Sequence, residues 1–265
     1  MSGGAWTSIV LAGNRPGEHS FAAAHGVAVK ALIPIAGEPM LGRVVSTLVA
    51  CPSIGRVLVL AQQPDLLLSG QLSWLRNEAS VRFAESGDGI SRSVAAYAGS
   101  EQAPYPLLVT TADHPLLTPL MIETFIAGSA GADIALGLVE RRSLEASHPQ
   151  SRRTWLRFSD GDYSGANLFV LRTTAAQAGL ELWSTVERDR KKVIRLLLRF
   201  GPILALRALT RTISLDAAVE RIAGRLGLKA KAVRLPFAEA AMDVDKPSDL
   251  ALAEAIMASR AAQPG

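Results

Sequence analysis

The sequence predicts an α/β fold with a mostly parallel central sheet and helices on both faces. Continuous apolar segments of strand length alternate with segments of helical length through most of the 265 residues. Strands that are apolar throughout are typical of sheets buried on both faces, and parallel strands need a crossover connection, usually a helix. The strands predicted in the first half span residues 7–12, 56–61, 81–84, 106–111 and 134–139.

The predicted helices of the first half span residues 40–50 and 90–98, and a third begins at Pro119 with Thr118 as its N-cap. The second half is less regular. Its predicted strands span residues 155–158, 168–171 and 242–244. Its predicted helices span residues 173–183, 186–199, 215–226 and 247–259. We interpret residues 1–260 as a single domain with an elaborated second half.

Composition narrows the classes of partner and compartment. The net charge of +4 suits anionic substrates such as nucleotides, although it also suits nucleic acid or acidic lipid. Cys51 is the single cysteine, which excludes a disulfide within the chain and a zinc site built from cysteines. A reducing, cytoplasmic location is therefore expected. The first residues lack the basic start and the long apolar run of a signal peptide.

A glycine-containing loop follows the first predicted strand, and open α/β sheets bind ligands at the carboxyl ends of their strands. Glycine lets backbone N–H groups approach phosphate oxygens, and Arg15 adds a charged donor. The loop matches neither of the common glycine-rich phosphate-binding patterns, so an ordinary strand-to-helix turn is the alternative. The nucleotide-binding residues predicted here are Leu11, Ala12, Gly13, Asn14 and Arg15.

A second motif, from Lys30 to Met40, carries a specific resemblance. With Leu-Ala-Gly at 11–13, the pattern Lys-x-Leu-x-Pro-x-x-Gly-x-Pro-Met resembles the opening signature of the MobA-like NTP transferases. The resemblance implies a Rossmann-like GT-A nucleotidyltransferase fold, in which a glycine loop wraps the NTP phosphates and Lys30 neutralises the triphosphate. Asn14 stands where that family usually has a second glycine, and the loop 14–29 is longer than usual. A solvated surface lysine is the alternative for Lys30.

Asp113 ends an apolar strand in the segment Thr-Ala-Asp-His-Pro, residues 111–115. Its position at the carboxyl edge of the sheet points it toward the phosphates. A Mg²⁺ or Mn²⁺ ion between Asp113 and the α-phosphate would neutralise charge at the attacked phosphorus. The segment also resembles the metal-binding motif of the same family. The alternative is an aspartate that caps the next turn.

Asp243 and Asp245 lie in a segment that resembles the closing Asp-x-Asp-x-Pro-x-Asp-Leu motif of the family. In a strand the two side chains would face the same way, so at least one is predicted to be a second metal ligand. Alternatively, Asp245 caps the helix that Pro247 opens.

Two weaker motifs complete the predicted site. The glycine-rich turn at 86–89 is similar to a family segment that binds the nucleoside, which implies roles for Gly87 and Ser93; Ser91 is the alternative cap of the following helix. The element Gly165-Ala-Asn167 is similar to the acceptor-binding segment of the superfamily. A plain β-turn is the alternative there.

Residues 186–211 are both basic and apolar. One interpretation is a helix that packs into the core with a solvated basic face. The other is an interfacial helix that rests on anionic lipid at the inner face of a membrane. Nucleic acid is not expected as a partner, since aromatic residues are scarce in the segment.

The resemblance implies a Mg²⁺-dependent nucleotidyltransferase that moves a nucleoside monophosphate from an NTP to a phosphorylated acceptor. Residues 1–140 would bind the NTP, and residues 141–260 would bind the acceptor and carry a helical insertion near 173–226. A glycosyltransferase that uses a nucleotide-sugar on the same fold is one alternative, although Lys30 suits a triphosphate better. A non-catalytic nucleotide-binding protein at a lipid surface is another. The acceptor stays open between the molybdenum cofactor, a sugar or polyol phosphate and a lipid-linked phosphate.

Overall fold

The computed structural model describes residues 5–13, 19–87, 89–188 and 202–262. The strands in these ranges are β1 (Trp6–Leu11), β2 (Pro34–Ile35), β3 (Glu38–Pro39), β4 (Ile54–Ala61), β5 (Val81–Glu85), β6 (Leu107–Thr111), β7 (Ile134–Glu140), β8 (Leu156–Phe158), β9 (Gly161–Leu171) and β10 (Ala230–Arg234). The α-helices are α1 (His19–Ala24), α2 (Met40–Val49), α3 (Pro64–Leu67), α4 (Ile90–Tyr97), α5 (Pro119–Gly128), α6 (Arg141–Ser147), α7 (Ala176–Arg188), α8 (Pro202–Leu209), α9 (Leu215–Arg225) and α10 (Pro247–Ala262). Short 3-10 helices span Lys30–Leu32, Gly70–Arg76 and Ala238–Ala241.

One eight-stranded sheet organises the fold. Its strand order is β10-β7-β9-β6-β1-β4-β5, and β8 pairs with β9. The pairs β1–β4, β4–β5, β1–β6 and β10–β7 are parallel, whereas β9 runs antiparallel to β6, β7 and β8. The predicted α/β fold with a mostly parallel sheet is confirmed. The chain builds β4 and β5 on one side of β1 and then places β6 on the other, so the switch point lies between β1 and β6.

The two faces of the sheet explain why its central strands are apolar throughout. Ile9 and Val10 are adjacent in β1, point to opposite faces and are both fully buried. Val10 belongs to the larger core, with Met40 and Val44 of α2 and Phe125 of α5. Ile9 belongs to the second core, which includes residues of α4 and α7. Thr118 caps α5 as predicted, because its Oγ1 accepts a hydrogen bond from the backbone N–H of Met121.

The second half departs from the prediction at four elements. Residues 242–244 form an irregular extended segment, so the predicted strand there is wrong. The strand predicted at 168–171 is the end of the 11-residue β9, and the edge strand β10 was not predicted. The helix predicted at 173–183 begins later and continues to Arg188. Residues 189–201, most of the predicted helix 186–199, lie outside the described residues.

Within the described ranges, every helix is either too short or too polar to cross a membrane.

Candidate active site

The carboxyl ends of β1 and β6 meet at the switch point of the sheet, and the strongest sequence motifs follow these two strands. The backbone N–H of Ala112 donates to Leu11 O at 2.9 Å, which holds the two strand ends side by side. Gly13 and Asp113 each lie two residues beyond their strand. The backbone N–H of Val244 donates to Asp113 O at 2.9 Å. This hydrogen bond brings the segment with Asp243 and Asp245 to the same edge.

Lys30 lies in the first turn of the 3-10 helix Lys30–Leu32, and its side chain is only 6% exposed. Its Nζ donates to Asp113 Oδ2 at 2.6 Å and also to Asp245 Oδ1. Burial opposes the charge of the ammonium, but the ion pairs with Asp113 and Asp245 outweigh it and raise the pKa of Lys30. The alternative of a solvated surface lysine is therefore wrong.

Asp113 is largely enclosed. Burial alone would raise the pKa of its carboxyl, but the charge and hydrogen bond of Lys30 lower it below the usual range, so Asp113 is ionised at neutral pH. Asp113 Oδ2 accepts from Lys30, whereas Oδ1 is buried and accepts no hydrogen bond of normal geometry from the described residues. A buried carboxylate oxygen with spare acceptor capacity points to a further cation or donor in the working site.

Asp243 and Asp245 have different partners, which the strand prediction did not anticipate. Asp245 binds Lys30, whereas Asp243 binds Arg153 through Oδ1 and accepts a hydrogen bond from Asn167 Nδ2 to Oδ2 at 3.1 Å. Burial and the charges of Asp113 and Asp245 raise the pKa of Asp243, against the opposing effect of Arg153. The hydrogen bonds of Lys30 to Asp113 and Asp245, and of the Val244 N–H to Asp113 O, bring the segment with Asp243 and Asp245 next to Asp113.

Asn167 reaches Asp243 because β9 is bulged. Leu138 of β7 pairs with Gly165 and Leu136 pairs with Phe169, so β9 has extra residues between these two pairs. Asn167 lies in this bulge with a φ of 48°, in the left-handed region that asparagine tolerates better than most residues. The alternative of a plain β-turn at Gly165 and Asn167 is wrong.

The glycine loop is described only at its start. The side chains of Leu11 and Ala12 pack in the cores. Leu11 O and the N–H of Ala12 form hydrogen bonds within the sheet, so these groups are not available to a nucleotide. A Cβ on Gly13 would lie 2.9 Å from Gln62 Nε2. The predicted residues Asn14 and Arg15 lie outside the described residues.

The described residues of the predicted nucleoside segment directly precede and begin α4. Ser93 is buried. Its hydroxyl lies within hydrogen-bonding distance of two backbone carbonyls, Gly89 O at 2.8 Å and Gly87 O at 3.1 Å. Gly89 occupies the N-cap position with a φ of 94°, and α4 begins at Ile90. Ser91 therefore lies inside the helix, and the alternative that it caps the helix is wrong. Gly87 is exposed.

The acidic cluster suits a hard divalent cation. Its ion pairs join two basic side chains, Lys30 and Arg153, to four carboxylates, those of Asp113, Asp243, Asp245 and Asp249. The four carboxylates therefore carry two more charges than the two basic side chains balance. Asp113 and Asp245 already share one cation, the Lys30 ammonium. However, the described residues contain no group of three or more acidic, histidine or cysteine side chains already arranged to hold a metal ion. Carboxylate oxygens are the ligands that Mg²⁺ and Mn²⁺ prefer, so Asp113 and Asp245 fit such an ion.

Two members of the cluster were missed from the sequence. Arg153 has no motif around it, and its neighbour Arg152 looks the same in the sequence but is exposed. Asp249 was interpreted as a charge in the first turn of a helix, yet its carboxylate is buried and its Oδ2 accepts from the backbone N–H of Asp245 at 3.2 Å. The i,i+4 spacing of Asp245 and Asp249 at the start of α10 was the available signal for this contact.

Known structures share this architecture. A hypothetical transferase from Thermus thermophilus superposes with a TM-score of 0.75 and 27% identity, covering 92% of this chain and 98% of that one. A 4-diphosphocytidyl-2C-methyl-D-erythritol synthase from Anaerococcus prevotii superposes with a TM-score of 0.57 and 11% identity, covering 96% of each chain. A CMP:2-keto-3-deoxy-manno-octonic acid synthetase complexed with CTP gives a TM-score of 0.56 and 14% identity, covering 98% of this chain and 100% of that one. At these low identities the last two show the GT-A-type nucleotidyltransferase fold alone.

No curated protein sequence matches the chain significantly. The sequence model of the MobA-like NTP transferase domain, by contrast, matches residues 9–192. That range is well over half of the chain and contains Lys30 and Asp113, the two residues on which the sequence resemblance rests. This protein therefore belongs to the MobA-like NTP transferase family.

Proposed function

We propose that this protein transfers a nucleoside monophosphate from an NTP to a phosphorylated acceptor, releases pyrophosphate and requires Mg²⁺ or Mn²⁺. The observation that carries the proposal is the buried Lys30 ammonium at the switch point, beside Gly13, where it is ion-paired with both Asp113 and Asp245. A cation flanked by two carboxylates at the ligand-binding edge of an α/β sheet suits a triphosphate with its counter-ion.

Lys30 is proposed to bind the triphosphate, together with Arg15 of the glycine loop. In the free protein the Lys30 ammonium is paired with both Asp113 and Asp245. An arriving triphosphate would offer it a stronger anion. The exchange keeps Lys30 paired, and the proposed divalent cation would replace its ammonium beside Asp113 and Asp245.

Asp113 and Asp245 are proposed to hold the divalent cation, and Asp243 is proposed to stay paired with Arg153. When bound, the cation supplies neutralisation of the phosphate charge that accumulates at the attacked centre. Asp113 contributes its buried Oδ1, which accepts no hydrogen bond of normal geometry from the described residues, and Asp245 is half exposed and so open to ligands from solvent.

The transfer itself needs no protein nucleophile. A phosphate oxygen of the acceptor attacks the α-phosphorus in line, a new P–O bond forms, and the bond to pyrophosphate breaks with its electron pair. The protein contributes orientation and charge, and Lys30 and Arg15 are proposed to hold the phosphates. Ser93 and Gly87 are proposed to line the nucleoside, and Gly165 and Asn167 the acceptor.

A thermal-shift screen with ATP, CTP, GTP and UTP, each with MgCl₂, tests nucleotide binding first. A ligand at about 1,000 times its Kd stabilises the folded state by roughly 4 kcal/mol, so the preferred NTP should raise Tm clearly. Pyrophosphate release is then measured with sugar phosphates, polyol phosphates, lipid-linked phosphates and the molybdenum cofactor. Release of an NDP from a nucleotide-sugar would instead identify a glycosyltransferase, and an absence of any NTP-dependent shift would contradict nucleotide transfer.

A further inference from the structure

Arg153 lies in the connection between α6 and β8, outside every motif of the site, and its side chain is only 8% exposed. Its Nη1 and Nη2 each donate to the backbone carbonyl of Asp243 at 3.2 Å, and Nη1 also binds the Asp243 carboxylate. Its Nη2 lies 3.8 Å from Asp249 Oδ1. One guanidinium thus contacts both the main chain and the side chain of Asp243 and the side chain of Asp249.

These contacts fix the main chain around Asp245. On one side, the carbonyl of Asp243 is fixed by the guanidinium. On the other, the carboxylate of Asp249 accepts the hydrogen bond from the backbone N–H of Asp245 at 3.2 Å while its second oxygen faces Arg153. The main chain that carries Asp245 is therefore held at two points by groups that one side chain touches.

The same contacts give Asp243 and Asp245 different roles. Asp243 has its Oδ1 on Arg153 and its Oδ2 on Asn167, so both carboxylate oxygens are used. Asp245 has no such anchor on its carboxylate apart from Lys30 among the contacts described, and it is half exposed. Without the guanidinium, Asp243 would be a second negative group beside Asp113, at a similar depth and free to compete for a cation.

We propose that Arg153 is a positioning residue of the transfer reaction: it fixes the main chain that presents Asp245, and it occupies Asp243 so that this carboxylate stays out of the metal site. The inference rests on the proposed function, since it assigns Arg153 a part in that same site. An arginine suits the task because its planar fork can reach a carboxylate and a carbonyl together, whereas a lysine offers a single point charge.

Three variants separate the two parts of this role. Arg153→Met removes both the charge and the fork, Arg153→Lys keeps the charge and loses the fork, and Arg153→Met combined with Asp243→Asn removes the carboxylate that the charge neutralised. Arg152→Met is the matched control, because Arg152 is the exposed neighbour of Arg153. Each full-length variant is measured for Tm, for Mn²⁺ binding by electron paramagnetic resonance without nucleotide, and for kcat and the NTP KM with the best NTP of the thermal-shift screen.

We expect Arg153→Met to lower kcat by about 10- to 100-fold, as losses of residues behind metal ligands typically do. It should also bind Mn²⁺ about 10-fold more tightly than the unaltered protein, because one positive charge near the carboxylates is gone and Asp243 is released. Arg153→Lys should lower kcat while leaving Mn²⁺ binding near normal. The double variant should return Mn²⁺ binding to normal and raise kcat above that of Arg153→Met.

The inference is overturned if kcat of Arg153→Lys matches that of Arg152→Met, a comparison that stands even when Arg153→Met fails to fold. A lower Tm with unchanged Mn²⁺ binding in Arg153→Met would also overturn it, since it would show a purely structural arginine. Failure of the proposed function has a different signature: the unaltered protein itself would give no NTP-dependent shift and no pyrophosphate.

Discussion

At the scale of single residues, the site is defined by two ion pairs of Lys30, one with Asp113 and one with Asp245, which lie far apart in the sequence. Asp113 and Lys30 are both enclosed, so each depends on the other to keep its charge. Removing one partner of a buried pair leaves the other without compensation, which costs roughly 3–5 kcal/mol. The consequences differ for nucleotide binding, for metal binding and for turnover, and each can be measured.

Lys30→Ala should weaken NTP binding much more than it weakens NMP binding. Lys30 is proposed to meet the β- and γ-phosphates, so its contribution should grow with the number of phosphates. Calorimetric titration of the variant with the preferred NTP and with its monophosphate measures the two losses. Equal losses for NTP and NMP would contradict the assignment.

Lys30→Met should make the free protein respond to magnesium. The variant leaves Asp113 and Asp245 without their ammonium, so we expect a lower Tm in buffer and a larger gain in Tm on addition of MgCl₂ than in the unaltered protein. Lys229→Met, at an exposed lysine, is the control and should respond like the unaltered protein. A variant that unfolds at lower temperature yet gains nothing from MgCl₂ would argue against a divalent cation between these carboxylates.

Asp113→Asn should abolish metal-dependent turnover while the protein stays folded. The substitution keeps the shape of the side chain and leaves Lys30 paired with Asp245, but it removes one charge from the proposed metal site, which should cost orders of magnitude in kcat. Circular dichroism confirms folding, and pyrophosphate release measures turnover. Asp65→Asn, at an exposed aspartate of α3, should be fully active. Near-normal turnover in folded Asp113→Asn would exclude Asp113 as a metal ligand.

At the scale of elements, the bulge in β9 is what aims Asn167 at Asp243. Its left-handed backbone and its amide contact can be separated by two substitutions. Asn167→Gly and Asn167→Ala both remove the amide, but only glycine accepts the backbone conformation freely. We expect Asn167→Ala to be less stable than Asn167→Gly by about 1 kcal/mol in urea unfolding. Equal stability would mean that the bulge relaxes when the amide is lost.

The same scale shows which elements could be predicted. The buried strands β1, β4 and β6 have long apolar runs, so they were predicted with their ends to within two residues. Asp113 was predicted from its place after β6, whereas Lys30 was predicted from the family resemblance. β10 was missed because it is an edge strand in which only Val233 is buried, so it lacks an apolar run. Residues 242–244 alternate between apolar and polar side chains like a strand, yet none of the described strands pairs with them. Among the described contacts, the hydrogen bond from the Val244 N–H to Asp113 O connects this segment to the sheet edge.

The partners of the site carboxylates could not be predicted for a related reason. Arg153 acts through contacts to residues 90 and 96 positions away, and no local pattern records such a distance. Position in the chain identified which residues lie at the carboxyl edge of the sheet. It did not reveal which cation each carboxylate meets, because that depends on the path of the irregular segments between the strands.

At the scale of the whole molecule, the candidate site also uses residues that lie beyond the range matched by the family model. The matched range ends at residue 192, yet Asp243 and Asp245 return to the edge where Asp113 lies. Between them stand α8, α9 and β10. α8 packs Leu204 against residues of α9 but leaves Ile203, Leu206 and Leu209 more than 60% exposed. These three residues, spaced three apart on one helix, form an exposed apolar stripe.

We propose that this stripe contacts anionic lipid and that the positive charge of the 186–211 segment adds to the attraction. The protein should sediment with vesicles that contain anionic lipid, and salt should weaken the binding, since each cation near the surface contributes roughly 1 kcal/mol that ions screen. Ile203→Glu combined with Leu206→Glu should abolish sedimentation without loss of Tm, because both side chains are exposed. Leu120→Glu, at an equally exposed leucine of α5, is the matched control and should bind normally. No sedimentation of the unaltered protein at low salt, or equal binding of both variants, would show that the stripe has no role at a membrane.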